Sequence, residues 1–218
     1  MSYRIDLHTH SIISQDGGIS RDQYANLLEK GILDVIAITD HNETKLAIEM
    51  EKKLGDKIIV GEEISTKEGE MIGLFLEKTI PGNLSALETA KLIHEQGGVV
   101  YIPHPFETSR QGLQIDVLAT ILSDIDIIEV FNARGKWRGR SSQALAFAQK
   151  NNKTMAAASD SHCHMGMGSS YNIISEVPTN KTLINLLAKG ELQKRFAPAF
   201  SYLCPAINRM KHKFFNYV

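Results

Sequence analysis

The sequence has few cysteines, no long apolar run and no excess of charge of either sign. Its two cysteines, Cys163 and Cys204, are too few for a disulfide framework and lack the paired spacing of a structural zinc site. No apolar run approaches the roughly 18 residues that cross a bilayer, and the N-terminus lacks an apolar signal segment. We therefore expect a cytoplasmic protein with no membrane segment, in which histidine and carboxylate must hold any metal.

The formal net charge of -1 leaves no surplus of positive charge to neutralise the many phosphates of an extended nucleic-acid duplex. Basic residues are concentrated between residues 189 and 218, where six lysines and arginines stand against one glutamate. Four apolar residues of this segment are spaced to share one helix face: Leu203, Ile207, Met210 and Phe214. These features predict a docked amphipathic helix with solvated basic side chains over about 190–218.

Runs of β-branched and aliphatic residues alternate with stretches of helical periodicity, which is typical of a largely parallel sheet flanked by helices. Eight strands are predicted: Tyr3–Leu7, Leu33–Thr39, Lys57–Ile64, Met71–Leu76, Val99–Ile102, Asp126–Phe131, Thr154–Ala158 and Tyr171–Ser175. The clearest helices are Asn42–Leu54, Ser85–Gln96 and Ser141–Asn151, and Ser20 is a candidate N-cap. The third and fourth strands are too close in sequence for a crossover helix, which predicts a hairpin. No repeat or linker divides the chain, so one domain over 1–218 is expected.

Nearly every predicted strand contains or ends in residues able to bind a metal ion: His8 and His10, Asp40 and His41, Glu63, His104, Glu129 and Asn132, Asp160 and His162. In a barrel of parallel strands the carboxyl ends open on one face, where active sites are built. His8 and His10 project from the same side of a strand because side chains alternate along it. Histidine and carboxylate without thiolate suit Zn, Mn or Fe in an open catalytic site.

Five segments together resemble the motifs of the polymerase and histidinol phosphatase (PHP) family of metal-dependent phosphoesterases. They are Asp6-Leu7-His8-Thr9-His10-Ser11 with Asp16-Gly17, Thr39-Asp40-His41, Gly61-Glu62-Glu63-Ile64-Ser65, His104-Pro105-Phe106 and Ser159-Asp160-Ser161-His162. The resemblance covers about residues 3–170 and does not include the C-terminal segment. It implies an α/β fold, a distorted (β/α)7 TIM-like barrel of the PHP type.

The resemblance also implies two or three divalent metal ions. Their ligands would form three sets: His8, His10, Glu63 and Asp160; Glu63, as a bridge, with His104; and Asp16, His41 and His162. Asp40 would orient a ligand histidine. The second set is the least complete, because Glu70 stands where many members carry a histidine and only Asn132, Arg134 and Trp137 follow Glu129. Glu70 has three interpretations: a ligand, a partner of a ligand, or a solvated hairpin residue.

The expected activity is hydrolysis of a phosphate ester by a metal-bridging hydroxide held near Glu63 and Asp160. Arg110 and Arg134 are candidates to bind the phosphate from loops on the same face. The leaving oxygen would take a proton from one of three histidines: His104, His41 or His162. The expected substrate is a nucleotide, an oligonucleotide end, or a sugar or other small-molecule phosphate, with a pocket wall formed by 65–70, 106–113 and 133–140.

Two other interpretations stay open. An amidohydrolase-like metal-dependent hydrolase also begins with His-X-His, but such sites usually add a carbamylated lysine where this chain has Glu63. A non-catalytic, metal-stabilised PHP module would keep the fold and lose ligands, whereas this chain keeps nearly the whole set. Metal identity and oligomeric state are not determined by the sequence.

Overall fold

The computed structural model describes residues 2–215. In this part of the chain the strands are β1 (Tyr3–Asp6), β2 (Val35–Ile38), β3 (Ile58–Ser65), β4 (Glu70–Leu74), β5 (Val99–Ile102), β6 (Ile127–Asn132), β7 (Thr154–Ala158), β8 (Tyr171–Ile174) and β9 (Glu191–Gln193). The α-helices are α1 (Arg21–Glu29), α2 (Lys45–Leu54), α3 (Ala86–Glu95), α4 (Ile115–Thr120), α5 (Ser141–Lys150), α6 (Leu183–Lys189) and α7 (Cys204–Phe215). Within these residues, no helix has the length and apolar character needed to cross a membrane.

The strands form one sheet in the order β7-β6-β5-β4-β3-β2-β1-β8-β9, curled into a nearly closed barrel. Six strands, β1, β2, β3, β5, β6 and β7, run in the same direction. Between β3 and β5, β4 is antiparallel to both, which confirms the predicted hairpin. The mixed α/β barrel predicted from the sequence is therefore confirmed, and its six parallel strands all end on one face.

A buried asparagine helps to close the barrel beside β7. The side-chain oxygen of Asn172 accepts a hydrogen bond from the Ala157 amide at 2.9 Å, and its side-chain nitrogen donates to the Ala157 carbonyl at 2.9 Å. Just beyond the strand ends, the His10 amide donates to the Ser161 carbonyl at 2.8 Å. The Asn172 bonds join β7 to β8, which pairs with β1, and the His10 bond joins the segments after β1 and β7, so the first and last motifs become neighbours.

Alternate residues of the strands pack on opposite faces of the sheet. Ile36 and Ile38 belong to a cluster that packs against α1–α5, whereas Ile59 and Ile127 belong to a second cluster that includes leucines of α6. Glu63 and Glu129 follow Ile59 and Ile127 at even spacing. Strand alternation therefore places both carboxylates on the face of the second cluster, toward the barrel interior.

Local capping explains where the helices begin. Ser20 precedes α1 and accepts from the Gln23 amide while the Gln23 side chain accepts from the Ser20 amide, so the predicted N-cap is confirmed as a capping box. The second helix begins at Lys45, later than predicted, because Asn42 has a φ of 53° and its side chain bonds to Ser65.

The C-terminal segment differs from the predicted continuous helix over about 190–218. It begins with β9, which pairs with β8, and α7 starts only at Cys204; residues 216–218 lie outside the described residues. The predicted docking face is wrong, because Leu203, Met210 and Phe214 are 55%, 57% and 71% exposed. Cys204 and Asn208 are buried instead, since the helix is attached through polar and covalent bonds rather than through its apolar side chains.

Candidate metal centre

Four candidate ligands converge where β1, β3 and β7 end. The Nε2 atoms of His8 and His10 lie 3.1 Å apart and are 3.4 and 3.2 Å from Oε2 of Glu63. Oδ1 of Asp160 lies 3.7 and 3.5 Å from the same two nitrogens. Ligands about 2.1 Å from one tetrahedral ion are separated by about 3.4 Å. The first predicted set is therefore spaced to hold one divalent ion.

The two oxygens of Glu63 face different groups. Oε2 faces His8 and His10, whereas Oε1 lies 3.0 Å from Nε2 of His104. Glu70 is buried and its oxygens lie 3.8 Å from Nδ1 of His41 and 3.8 Å from Nε2 of His104. The interpretation of Glu70 as a solvated hairpin residue is therefore wrong. Because β4 runs opposite to its neighbours, its first residue lies on the face where they end.

Asp16, His41 and His162 form a third group. Oδ1 of Asp16 lies 3.5 Å from Nε2 of His41 and 3.5 Å from Nε2 of His162. Among the described residues this buried oxygen has no hydrogen-bond partner. Leaving a buried carboxylate oxygen unpaired costs free energy, which a cation bound between these three side chains would offset. The donor sets therefore fit divalent metal ions.

Two candidate ligands have left-handed backbone conformations. The φ angle is 28° at His104 and 50° at Asp160, in a region that side chains other than glycine rarely adopt. Such conformations cost about 1–3 kcal/mol each and are typically found at functional sites. At these two positions the chain therefore adopts a strained turn where the side chain must enter the centre.

The centre is a mixture of opposite charges removed from water. Burial opposes the charge on His10, but hydrogen bonds with Asp160 and Glu63 outweigh it and raise its pKa to about 9. Burial also opposes the charge on Glu63, yet His8 and His41 hold the pKa of this carboxyl well below its usual range. Burial and the neighbouring Arg134 lower the pKa of His162 to about 3. Cation binding at His10 must therefore release a proton, whereas Glu63 and His162 are already in the forms that bind metal.

Glu129 orients several groups of the centre, a role not predicted from the sequence. Its carboxylate contacts Nδ1 of His8 at 3.0 Å and accepts hydrogen bonds from the Tyr101 hydroxyl at 2.7 Å and the Asn132 amide at 2.7 Å. The Nδ1 contact turns Nε2 of His8 toward Glu63 and Asp160. The even spacing from Ile127 is the signal that could have placed Glu129 inside the barrel, whereas nothing in the sequence pointed to Tyr101.

Asp40, predicted to orient a ligand histidine, is linked to His10 through Ser14 and not by a direct contact. Its carboxylate accepts hydrogen bonds from the Ser11 amide at 2.7 Å and the Ser14 hydroxyl at 2.6 Å. The Ser14 hydroxyl in turn lies 3.4 Å from Nδ1 of His10. Asp40 therefore acts on the ligand through Ser14, because the loop after β1 already occupies its oxygens.

Both predicted arginines reach the centre. The Arg134 guanidinium lies 3.1 Å from Oδ1 of Asp160 and 3.0 Å from Nδ1 of His162. Arg110 contacts Asp160 as well and is also paired with Glu107. Burial opposes the charge on Asp160, but Arg134, His8 and the other cations hold its pKa well below the ordinary range. These arginines are positioned at the candidate ligand Asp160, and their contact with a phosphate stays a prediction.

The candidate ligands open onto a cavity of about 990 Å³. Its lining includes residues from all three predicted wall segments. It also includes Tyr202 and Arg209, which lie outside those predicted segments.

Comparison with known proteins agrees with this arrangement. A family model described as PHP-associated matches residues 141–192. The uncharacterized protein MJ0417 of Methanocaldococcus jannaschii is 36% identical over 191 residues, which cover 82% of this chain and 73% of that protein. This chain belongs to the PHP family.

Solved structures share the PHP fold at low sequence identity. A two-domain protein of Bacteroides vulgatus that contains a predicted PHP-like metal-dependent phosphoesterase is 19% identical, with a TM-score of 0.71 over 96% of this chain and 70% of that chain. The lesion-specific endonuclease PfuEndoQ of Pyrococcus furiosus is 18% identical, with a TM-score of 0.65 over 88% of this chain and 58% of that chain. At these identities the likeness concerns the fold.

In this PHP domain the C-terminal segment is tied to the metal centre. Cys163, next to His162, forms a disulfide with Cys204 at the start of α7. Two cysteines are too few for a disulfide framework, but here they form one bond. One turn later, the Asn208 side chain donates to the carbonyl oxygens of Asp16 and His162, both at 2.9 Å. Neither link could be predicted from the sequence, because both depend on contacts between residues far apart in the chain.

Proposed function

We propose that this protein hydrolyses phosphate esters with the help of two or three divalent metal ions. The observation that carries the proposal is the convergence of eight candidate ligands on one face, with Glu63 facing two of the groups: His8, His10, Asp16, His41, Glu63, His104, Asp160 and His162. Membership of the PHP family and a fold shared with proteins described as metal-dependent phosphoesterases support it.

Bound divalent ions would supply an activated water and neutralise charge on the phosphoryl oxygens. The chain itself supplies position and charge, which are the main requirements of phosphoryl transfer. Arg134 and Arg110 lie beside Asp160 on the cavity wall, where their guanidinium groups can bind phosphate oxygens in place of the carboxylate. The buried Glu63 and Asp160 keep their negative charge and hold the cations in place.

Proton transfer to the leaving group is assigned to a histidine of the cavity wall. His104 and His41 line the cavity and can reach a substrate oxygen, whereas His162, which also lines it, has a pKa of about 3 and carries no proton to donate near neutral pH. The size of the cavity is at the upper end of the range for small-molecule sites, which favours a nucleotide, an oligonucleotide end or a sugar phosphate. An extended duplex is not proposed, because the net charge of -1 provides little attraction for it.

The test is elemental analysis of protein purified without added metal, coupled to a screen for phosphate release from mono- and diesters with Mn, Zn and Mg. We expect two or three bound ions per chain and phosphate release that a chelator abolishes. Bound metal whose removal lowers the melting temperature, without turnover of any ester, would instead support the non-catalytic module. Hydrolysis of amides but not of phosphate esters would support the amidohydrolase-like alternative.

A further inference from the structure

Trp137 is the single tryptophan of the chain and lies on the wall of the cavity, where it is 67% exposed. A large aromatic ring that faces a cavity instead of the core provides a flat apolar surface for a ligand. The ring lies three residues after Arg134, whose guanidinium contacts Asp160. One short loop therefore carries both a cation of the metal centre and an open aromatic ring.

Tyr202 holds a second ring against the first. The ring centroids of Trp137 and Tyr202 are 4.7 Å apart, with planes inclined at 59°. The Tyr202 hydroxyl donates to the carbonyl oxygen of Ala133 at 2.9 Å, which fixes the ring from its far end. Tyr202 lies just before α7, so the C-terminal segment and the loop after β6 together form this wall. A pair of rings fixed in this way is preorganised to bind a planar group.

Basic residues precede and follow Trp137 in the chain. Nζ of Lys136 lies 5.3 Å from the Trp137 ring centroid, and the exposed Arg138 has no hydrogen-bond or ion-pair partner among residues 2–215. An exposed cation–π contact is weaker than the stacking of a nucleobase on an aromatic side chain. A base can therefore replace the flexible lysine, and the basic side chains favour a ligand that also carries phosphate.

We propose that Trp137 and Tyr202 form a stacking subsite for the nucleobase of a nucleotide phosphoester whose phosphate lies at the metal centre. The inference rests on the proposed function and narrows its substrate class from phosphate esters in general to nucleotides. A sugar phosphate without a base has no π-face to stack on the rings and gains less from them. Trp137 then determines specificity and takes no part in the chemical step.

The test compares adenosine 5′-monophosphate with ribose 5-phosphate, which has the same phosphate and sugar but no base. Because Trp137 is the only tryptophan, rapid mixing with the metal-loaded protein reports on this ring alone. We expect the nucleotide to quench its fluorescence and ribose 5-phosphate to leave it unchanged. In Trp137→Ala the KM for the nucleotide should rise about 5- to 150-fold, the equivalent of the stacking energy, while kcat and the KM for ribose 5-phosphate stay unchanged.

Two further variants separate stacking from general damage. Trp137→Phe keeps an aromatic face and should restore a nucleotide KM near the original value. Phe200→Ala removes an exposed ring that does not line the cavity and should change neither constant. Equal effects of Trp137→Ala on both substrates, or no quenching by the nucleotide, would overturn the subsite. Quenching by the nucleotide without hydrolysis of any ester would leave the subsite standing and overturn the phosphoesterase instead.

Discussion

The strand ends and the C-terminal segment contribute to the metal centre in different ways. The ends of the parallel strands, with the loop after β1, supply all eight candidate ligands, which come from short motifs and project into one space. The segment from Ala199 to Phe215 supplies no candidate ligand and contacts the loops that carry Asp16 and His162. Arg209 adds an ion pair with Asp16 at 2.9 Å. The contrast shows that the candidate ligands are held in place by residues that do not themselves bind metal, here those of the segment from Ala199 to Phe215.

The fit between α7 and the loop after β1 is close. Asn208 is buried, and a Cβ atom at Gly18 would lie 2.6 Å from its side-chain nitrogen, nearer than side chains can approach. The glycine therefore makes room for the amide that joins the Asp16 and His162 loops. Four predictions test how far the two regions differ, in order of expected effect.

The strand-end region should control turnover. Because Glu63 faces two groups of ligands, Glu63→Ala should lower kcat by roughly a thousandfold or more and reduce the bound metal, while circular dichroism shows the fold retained. Glu77→Ala, on an exposed position, is the control. Near-normal phosphate release by purified Glu63→Ala would contradict the role given to the strand ends.

The C-terminal segment should control stability more than chemistry. The disulfide links residues 41 positions apart, and closing a loop of this length typically stabilises a fold by about 2–4 kcal/mol. Cys204→Ser should lower the free energy of unfolding by that amount in urea denaturation. The double variant Cys163→Ser/Cys204→Ser should be insensitive to reductant. If reductant left the stability of the unaltered protein unchanged, the disulfide would have no stabilising role.

The variant Asn208→Ala tests whether α7 affects metal binding by the candidate ligands. Loss of its two hydrogen bonds frees the loops of Asp16 and His162, so Asn208→Ala should weaken metal binding at this group by about 10- to 100-fold. Titration calorimetry with Mn should show this loss with the tighter sites retained. Lys211→Ala, on the exposed side of α7, is the matched control. Unchanged affinity at every site would mean that α7 only packs against the barrel.

Glu62 and Glu63 are neighbours in β3. Glu63 points into the metal centre, whereas Glu62 points away from it, so Glu62 extends the comparison to a carboxylate outside the centre. Its carboxylate accepts from the Ile80 amide at 2.8 Å, and burial, with the charge of Glu43, raises its pKa from 4.5 to about 7. The unfolded chain therefore loses this proton at lower pH than the folded protein does. Between these pH values the folded state binds more protons, so this group makes stability fall as the pH rises.

Glu62→Gln removes the proton equilibrium and should remove that slope. Measured in chelator by urea denaturation, the unaltered protein should lose about 1–3 kcal/mol relative to Glu62→Gln between about pH 5 and about pH 8. Because the two proteins differ only at this position, the titration of the other groups cancels in the difference between their free energies of unfolding. Parallel stability curves for the two proteins would show that Glu62 titrates normally.

Local signals in the sequence predicted most of the barrel. Val99–Ile102 and Thr154–Ala158 form strands with the predicted bounds, because their apolar runs are enclosed on both faces. The capping box at Ser20 is equally local. The helical face at Leu203, Met210 and Phe214 was mispredicted, since periodicity identifies an apolar stripe but not whether anything covers it.

The sequence alone determined the fold class, the hairpin and the positions of the candidate ligands, because each depends on a spacing of a few residues along one strand. Only the tertiary structure decided that Glu70 enters the centre, that Glu129 orients His8, and that the C-terminal helix is tied to the ligand loops. Those features arise where segments distant in sequence meet. Their hydrogen bonds and the disulfide depend on positions that no local pattern specifies.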